Sequence, residues 1–337
     1  MTILVRSLGL LLAPALLSVS IGDFSFAPAE ESEIKVEFKQ IFNVELTDMS
    51  LAFNGEDVDT SEMGVPEFTL RDEELMQFTD VFVKAGDERP AVVHRTYDEL
   101  TKMSMQSATS PEGDEETNED PGTSELEGVT LAFTWDADDE GYVASYLEEE
   151  GDTDLLEDLE FGGYLVDFLP DGEVEEGDRW QVDASCFDKI TEPCGDVSFV
   201  LESKKDDEDD DDTWGEQFSD NLDGEFFVEY GGMRDEDGTQ VAVFTLTAEI
   251  STEIVQEQEI DEEMFSGSTT STFSFDFDME GELLWNVEAK RPFSLTFNGD
   301  VEFQIEEDTE LSGDHGEMKQ TTVQMFEGTV EVSSSYN

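Results

Sequence analysis

Hydrophobic and polar residues alternate along this chain in long, regular stretches. Between residues 273 and 287 the odd positions hold bulky apolar side chains, and the even positions are mostly acidic or small. Successive side chains of a β-strand point to opposite faces, so this spacing predicts a strand with one dry and one wet face. The odd-numbered apolar residues are Phe273, Phe275, Phe277, Met279, Leu283, Trp285 and Val287.

The same pattern recurs near both ends of the chain, at even positions over 34–46 and 242–250, and again at odd positions over 293–305. Asn54-Gly55 and Asn298-Gly299 follow apolar runs and predict hairpin turns. Helical spacing of leucines predicts one helix near residues 152–168. The expected fold is mainly β: a large curved antiparallel sheet, half-barrel or open barrel-like, with one helix packed on it.

Two acidic segments interrupt the pattern within a single β-rich domain over residues 30–337. Residues 107–125 are rich in Ser, Thr, Pro and Gly as well as acids, and they predict a mobile acidic loop. Residues 206–212 are seven consecutive acids. Such a run is solvated rather than paired in a sheet, so it is expected to form either the tip of a long hairpin or a loop that separates two halves, 30–205 and 213–337.

The N-terminus has the features of an export signal over residues 1–29. Arg6 precedes a short apolar run, and small residues follow at cleavage spacing, either Ser18-Val19-Ser20 or Ala27-Pro28-Ala29. The apolar run is too short to span a bilayer, and no later stretch is long and apolar enough. The sequence therefore predicts a secreted or periplasmic protein with no integral membrane segment after signal cleavage.

The charge balance is extreme: 88 acidic residues against 16 basic ones, a formal net charge of −72. Nucleic acids and anionic membranes are bound by clustered Lys and Arg, so neither is an expected partner. High ionic strength screens such repulsion, which favours a saline environment. Loose cation association is also expected.

Two cysteines, Cys186 and Cys194, lie eight residues apart. In an exported protein this spacing predicts a disulfide, with two free thiols as the alternative. Two histidines, His94 and His315, are predicted to be a strand-surface and a turn residue. Asp136–Gly141 resembles the start of an EF-hand loop, but Leu147 occupies the position that needs a bidentate glutamate. No catalytic, metal-binding or cofactor-binding residues are predicted, and no cofactor is expected.

One segment, from Leu169 to Trp180, is similar to a part of uncharacterised exported β-rich proteins of planctomycete-type bacteria. The similarity lies in Pro170, Val174 and Gly177-Asp178-Arg179-Trp180. The stretch from Gly281 to Leu295 resembles the C-terminal part of the same proteins. The resemblance implies a secreted β-rich protein without assigned activity, and some members look like the half-barrel of lipoprotein carriers. It implies a turn at Gly177 and Asp178 with Trp180 in the core, and it assigns no catalytic residue.

The Phe-rich faces of the strands need a cover, which a second sheet, the helix or a ligand could supply. The leading prediction is a non-enzymatic exported cell-envelope protein, a binding or structural module. Its Phe residues either pack on one another as core or line a cavity between sheet and helix that holds a lipid or other apolar ligand. One alternative is a secreted hydrolase that uses a carboxylate pair. Another is a halophilic surface structural protein without a pocket.

Overall fold

A computed structural model describes residues 24–58, 67–86, 89–109, 115–138, 140–147, 151–204, 214–262, 265–313 and 316–337. The strands are β1 (Glu33–Phe53), β2 (Glu56–Asp57), β3 (Glu67–Lys84), β4 (Val92–Thr109), β5 (Glu115–Thr123), β6 (Thr130–Asp136), β7 (Gly141–Tyr146), β8 (Arg179–Val182), β9 (Val200–Leu201), β10 (Asp223–Glu236), β11 (Thr239–Glu262), β12 (Phe265–Asn286), β13 (Arg291–Gly313) and β14 (Gly316–Tyr336).

All fourteen strands belong to one antiparallel sheet, which does not close into a barrel. The main path runs β7-β6-β4-β3-β1-β14-β13-β12-β11-β10-β8, while β2 extends β1 and β5 joins β4 to β9. The predicted fold class, a mainly β protein with a large curved antiparallel sheet, is confirmed. Because β1 pairs with β14, the regions on either side of 206–212 share one sheet; the acidic run itself lies outside the described residues.

One face of the sheet carries a continuous hydrophobic core, and we call it the inner face; the opposite face is the outer face. Cross-strand aromatic contacts follow the register on the inner face, as where Phe275 stacks on Phe303 with centroids 4.3 Å apart. Phe303 in turn lies 5.3 Å from Phe326 of the next strand. The strands predicted from the alternation are therefore confirmed. Each of them places one apolar side chain in each lateral row of the inner face.

Residues 151–204 and 214–222, which we call the cover segment, link β7 to β10, and parts of them lie over the inner face. They include β8, β9, helix α1 (Asp188–Thr191), helix α2 (Trp214–Asp220) and four 3-10 turns. Phe168 packs on Phe226 at 5.3 Å, and Phe187 packs on Phe277 at 4.9 Å between ring centroids. The chain thus covers part of its own apolar face.

The helix expected near 152–168 is replaced by two 3-10 turns, Asp154–Leu156 and Val166–Phe168. Leu165 has a left-handed backbone (φ 52°), which a continuous α-helix does not accommodate. The helical elements that pack on the sheet are instead the 3-10 turn Ala184–Phe187, against β10 and β11, and α2, against β11.

The loop expected at 107–125 is largely strand. Thr109 ends β4, and Glu115–Thr123 forms β5, which pairs with β4 on one side and β9 on the other; residues 110–114 lie outside the described residues. The loop was predicted from polar composition alone. A strand between two partner strands can form its backbone hydrogen bonds whatever the chemistry of its outward side chains, so composition did not decide the structure here.

The hairpin turn expected at Asn298-Gly299 is wrong, since β13 runs straight through it. The odd-position pattern continues without a break from Phe293 to Ile305, which a two-residue turn would interrupt. Gly299 is needed for close strand approach, because a Cβ there would overlap the carbonyl oxygen of Asp278. Asn54-Gly55, by contrast, does form a turn, with both residues at positive φ.

The outer face carries lateral rows of carboxylates on neighbouring strands. We call two of them the outer carboxylate rows; they are Glu225–Glu249–Asp278–Asp300 and Asp276–Glu302–Glu327–Glu45. Members of the first row line an open groove of about 640 Å³. Like charges directly opposite each other destabilise a sheet, so these rows carry a repulsive energy that the surrounding solution must screen.

Candidate functional site

Five polar residues interrupt the apolar inner face on β1, β3 and β4, and we call them the polar patch: Gln40, Asp72, Glu74, Lys102 and Ser104. The register places Gln40 opposite Glu74 and Glu74 opposite Lys102, while Asp72 stands opposite Ser104. Asp72 and Glu74 occupy the same strand phase as the core residue Met76, so the pleat itself turns their carboxylates toward the dry face.

Lys102 is the cation at the centre of this patch. Its ammonium lies 2.6 Å from Glu74 Oε1, with both side chains about three-quarters buried (29% and 22% exposed). Burial disfavours the charged ammonium, but the carboxylates of Glu74, Asp72 and Glu192 outweigh it and raise the pKa of Lys102. The phenyl ring of Phe199, from the cover segment, lies 5.9 Å from the same nitrogen.

Two oxygen atoms of the polar patch are shielded from solvent and accept no hydrogen bond within the described part of the chain: Gln40 Oε1 and Asp72 Oδ1. Burial raises the pKa of Asp72, against the opposing effects of a hydrogen bond with Ser104 and the charge of Lys102. An unsatisfied buried acceptor costs about 1–3 kcal/mol, so both atoms favour a hydrogen-bond donor from elsewhere.

The cover segment adds two carboxylates, Asp188 and Glu192. Burial, together with the carboxylates of Asp188, Glu74 and Asp196, raises the pKa of Glu192 to about 7. Burial also raises the pKa of Asp188, whose Oδ1 is another shielded acceptor without a partner among the described residues. The carboxylates of Asp72, Glu74, Asp188 and Glu192 therefore share this site with one lysine, Lys102, and the site carries net negative charge.

An apolar strip borders the polar patch on the inner face of β1 and β3. Phe42, Leu46, Phe68 and Leu70 are only half-buried, although they pack against the main core. Phe42 stands directly opposite Asp72 in the register, so apolar and polar surfaces meet without a gap. Together the strip and the patch form one amphipathic surface.

A second cluster of polar groups, centred on Asp80 and Arg95, is closed to solvent. Both side chains are 0% exposed, and the guanidinium donates two hydrogen bonds to the Asp80 carboxylate at 2.9 and 2.8 Å. Tyr164 Oη donates to the same carboxylate at 2.7 Å, and Arg95 reaches the carbonyl of Gly162 at 3.2 Å. This network fastens the cover segment to the sheet, and no substrate reaches it.

The predicted disulfide is wrong: Cys186 and Cys194 are both buried and unpaired. Cys186 lies within the helical turns of residues 184–191, and Arg95 Nη1 donates to Cys194 Sγ at 3.3 Å. Burial raises the pKa of each thiol to about 11, which makes both unreactive. The eight-residue spacing carried no information on the direction of the side chains, which decides whether a bridge forms.

The space between sheet and cover segment is filled by protein. A cavity there, lined by residues that include Phe38, Phe78 and Ile190, measures about 10 Å³. This volume is about that needed for one water molecule. This cavity therefore has no room for a larger molecule, whereas the amphipathic surface of the strip and the polar patch is partly exposed.

Gly177, Asp178 and Trp180, which carry the resemblance noted in the sequence, lie at the edge of the sheet. Gly177 has φ 93° and donates its N–H to the carbonyl of Tyr230 at 2.8 Å, and the Asp178 side chain accepts from the Glu175 N–H at 2.8 Å. Trp180 on β8 packs edge-on against Phe244 at 6.0 Å. The turn leads the chain into β8 and places Trp180 against the core.

Of the histidines, His94 lies on the outer face of β4 opposite Val81 and Ala132, while His315 lies outside the described residues. Asp136 to Gly141 joins β6 to β7 as a turn, with Asp139 outside the described residues. Within the described ranges, no three His, Cys, Asp or Glu side chains form a group that could hold a metal ion. No helix there is long and apolar enough to cross a membrane.

The polar patch was not predicted from the sequence, although the sequence contains one signal of it. Asp72 and Glu74 stand at positions where the phase of β3, set by Phe68, Leu70, Met76 and Phe78, calls for apolar residues. In a chain with 88 acids, two carboxylates out of phase do not stand out until the strand register is known.

Glu192 gives a pH prediction. Its pKa in the folded chain is about 7, above the ordinary value of 4.5, so it stabilises the fold at low pH and this contribution is lost as pH rises through about 7. Because the side chain is partly exposed, we expect Glu192→Gln to stabilise by only about 1 kcal/mol at pH 8 and to have little effect at pH 4. Urea unfolding at the two pH values tests this; equal effects at both would contradict it.

The chain matches no known protein-family model and no curated protein.

Proposed function

We propose that this protein is a non-enzymatic, exported cell-envelope protein that binds an amphipathic molecule on the inner face of its sheet. The apolar strip takes the hydrocarbon part, and the polar patch takes the head group. One observation carries the proposal: half-buried apolar side chains run directly into a patch that holds shielded, unpartnered acceptor oxygens. Ligand sites are typically concave, with a mostly apolar lining and a few placed polar groups, and the strip and patch share that composition.

The chemistry of the patch selects the head group. Gln40 Oε1 and Asp72 Oδ1 need donors, and the carboxylates nearby outnumber Lys102. A primary ammonium supplies three N–H donors and a positive charge, so it satisfies both requirements at once. The proposed ligand class is therefore a single-chain or double-chain amphiphile with an amine head.

The hydrocarbon part gains from burial on the strip. Phe42, Leu46, Phe68 and Leu70 expose part of their surface, and covering apolar surface stabilises by about 25 cal/mol per Å². Long strands offer an extended track rather than a closed pocket, which suits a flexible chain. Export accords with this role, because amphiphiles of the cell envelope lie outside the cytoplasm.

The test is calorimetric titration of the purified chain with dodecylamine, dodecanol and dodecyl sulfate. The titrations are run in about 1 M NaCl, where a Debye length of about 3 Å suppresses non-specific attraction of cations. We expect saturable binding of dodecylamine, about tenfold tighter than that of dodecanol and far tighter than that of dodecyl sulfate.

Three variants locate the binding. Leu70→Asp is expected to weaken dodecylamine binding about tenfold or more by removing an apolar contact, and Asp72→Asn is expected to weaken it by removing charge from the patch. Asp278→Asn, on the outer face, is the matched control and leaves the affinity unchanged. Non-saturable binding, or equal losses in all three variants, would refute the proposal.

The carboxylate-pair hydrolase remains a second candidate because Glu192, with a pKa raised to about 7, has the protonation behaviour of a general acid. It makes a distinct prediction: an amine-headed ester such as 2-aminoethyl dodecanoate would be turned over rather than only bound. Turnover that Glu192→Gln abolishes would replace the binding proposal with this one.

A further inference from the structure

The first described residues of the chain are part of the core. Phe24 is 8% exposed, and its ring lies 5.1 Å from Phe244 and 5.8 Å from Tyr230. Phe26 stacks on Tyr164 with centroids 4.3 Å apart. These aromatic contacts reach β10, β11 and the cover segment, so they join elements that are far apart in sequence.

Residues 27–31, which follow these two rings, also form hydrogen bonds with the rest of the fold. The Ala27 N–H donates to the carbonyl of Lys290 at 3.2 Å, and the Glu31 N–H donates to the carbonyl of Phe82 at 2.8 Å. Glu30 Oε1 accepts from the Ala85 N–H at 3.1 Å. Residues 24–31 are thus part of the folded structure.

This packing decides between the two cleavage positions. Cleavage after Ala29 would remove Phe24 and Phe26 and uncover Tyr230, Phe244 and Tyr164. Cleavage after Ser20 keeps both phenylalanines and still satisfies the requirement for small residues, through Ser18 and Ser20. Tyr164 matters most, because its hydroxyl group holds the buried Asp80 carboxylate.

We propose that a signal peptidase hydrolyses the peptide bond between Ser20 and Ile21, and that the mature protein begins with Ile21. Water adds across this bond, which leaves the carboxylate on Ser20 and the free amino group on Ile21. The inference rests on the export part of the proposed function but not on ligand binding. Its test reads the N-terminus alone, so a failure to bind amphiphiles and a failure here are separate outcomes.

The full chain is expressed in a bacterial host with a signal peptidase, and the exported protein is analysed by intact mass and N-terminal sequencing. We expect the sequence Ile21-Gly22-Asp23-Phe24. Ser20→Leu is expected to abolish this terminus, whereas Ala29→Leu, at an exposed position, leaves it unchanged. A terminus at Glu30, an unprocessed chain, or a Ser20→Leu variant that is still cut after position 20 would each overturn the proposal.

A second measurement tests the physical reason. Phe24→Ala in the exported chain is expected to lower the melting temperature by about 5–10 °C, because it leaves a cavity between Tyr230 and Phe244. Phe53→Ala, at a position 37% exposed, is the matched control and is expected to shift it by less than about 2 °C. Equal shifts in the two variants would show that Phe24 is not part of the mature core.

Discussion

Replacing Arg95 by methionine is expected to lower the free energy of unfolding by about 3–5 kcal/mol. The guanidinium is fully buried, pairs with Asp80 through two hydrogen bonds, and lies 4.0 Å above the ring of Phe78. Its removal leaves the Asp80 carboxylate buried with Tyr164 but without a cation. Equilibrium urea unfolding measures the loss.

Arg234 provides the matched control, since it forms a comparable two-bond pair with Glu282 on the exposed outer face. Arg234→Met is expected to cost less than about 1 kcal/mol, because solvent screens exposed ion pairs. In the double variant Asp80→Asn with Arg95→Met, part of the stability is expected to return, since no bare charge stays buried. Equal costs for Arg95→Met and Arg234→Met would contradict the role assigned to the buried pair.

The melting temperature is expected to rise by about 10 °C or more between about 0.1 and 1 M NaCl, as the Debye length falls from about 10 to about 3 Å. The net charge of −72 and the two outer carboxylate rows are the reason, since each row sets like charges on adjacent strands. Added salt screens this repulsion in the folded state. Thermal unfolding monitored by circular dichroism over a salt series gives the measurement.

A triple neutralisation isolates the contribution of one row. The variant Glu249→Gln, Asp278→Asn and Asp300→Asn is expected to melt higher than the native chain at 0.1 M NaCl and to gain less from added salt. Its controls are exposed carboxylates that stand in neither row, such as Glu157 and Asp171. A melting temperature that is flat or falling over the salt series would refute the screening argument and, with it, the proposed saline setting.

Much of the fold was predictable from local features. The phase of Ile34 to Leu46 and of Phe273 to Trp285 correctly gave strands with one buried face, because side-chain direction along a strand is fixed by the backbone. Two predictions, a turn at Asn298-Gly299 and a loop at 107–125, were wrong for the same physical reason. Composition describes what a segment tolerates, whereas a neighbouring strand decides whether it is used as a turn, a loop or a strand.

The candidate site was less predictable. Lys102 and Glu74 are 28 residues apart, and only the β3–β4 register brings them to 2.6 Å. Glu192 reaches their surroundings through the cover segment, whose path no periodic pattern indicates. The disulfide prediction failed likewise, since Arg95 and the helical turns of residues 184–191 set the positions of the two thiols.

The sequence by itself determined that the chain is a β protein with long strands, an apolar face and an intensely acidic exterior, because alternation and charge are properties of each segment alone. The tertiary structure alone decided that β1 lies beside β14, that Phe24 belongs to the core, and that a lysine and several carboxylates meet beside the apolar strip. Those facts depend on pairings between distant strands. Such pairings follow from how the whole sheet and its cover pack, which no single segment encodes.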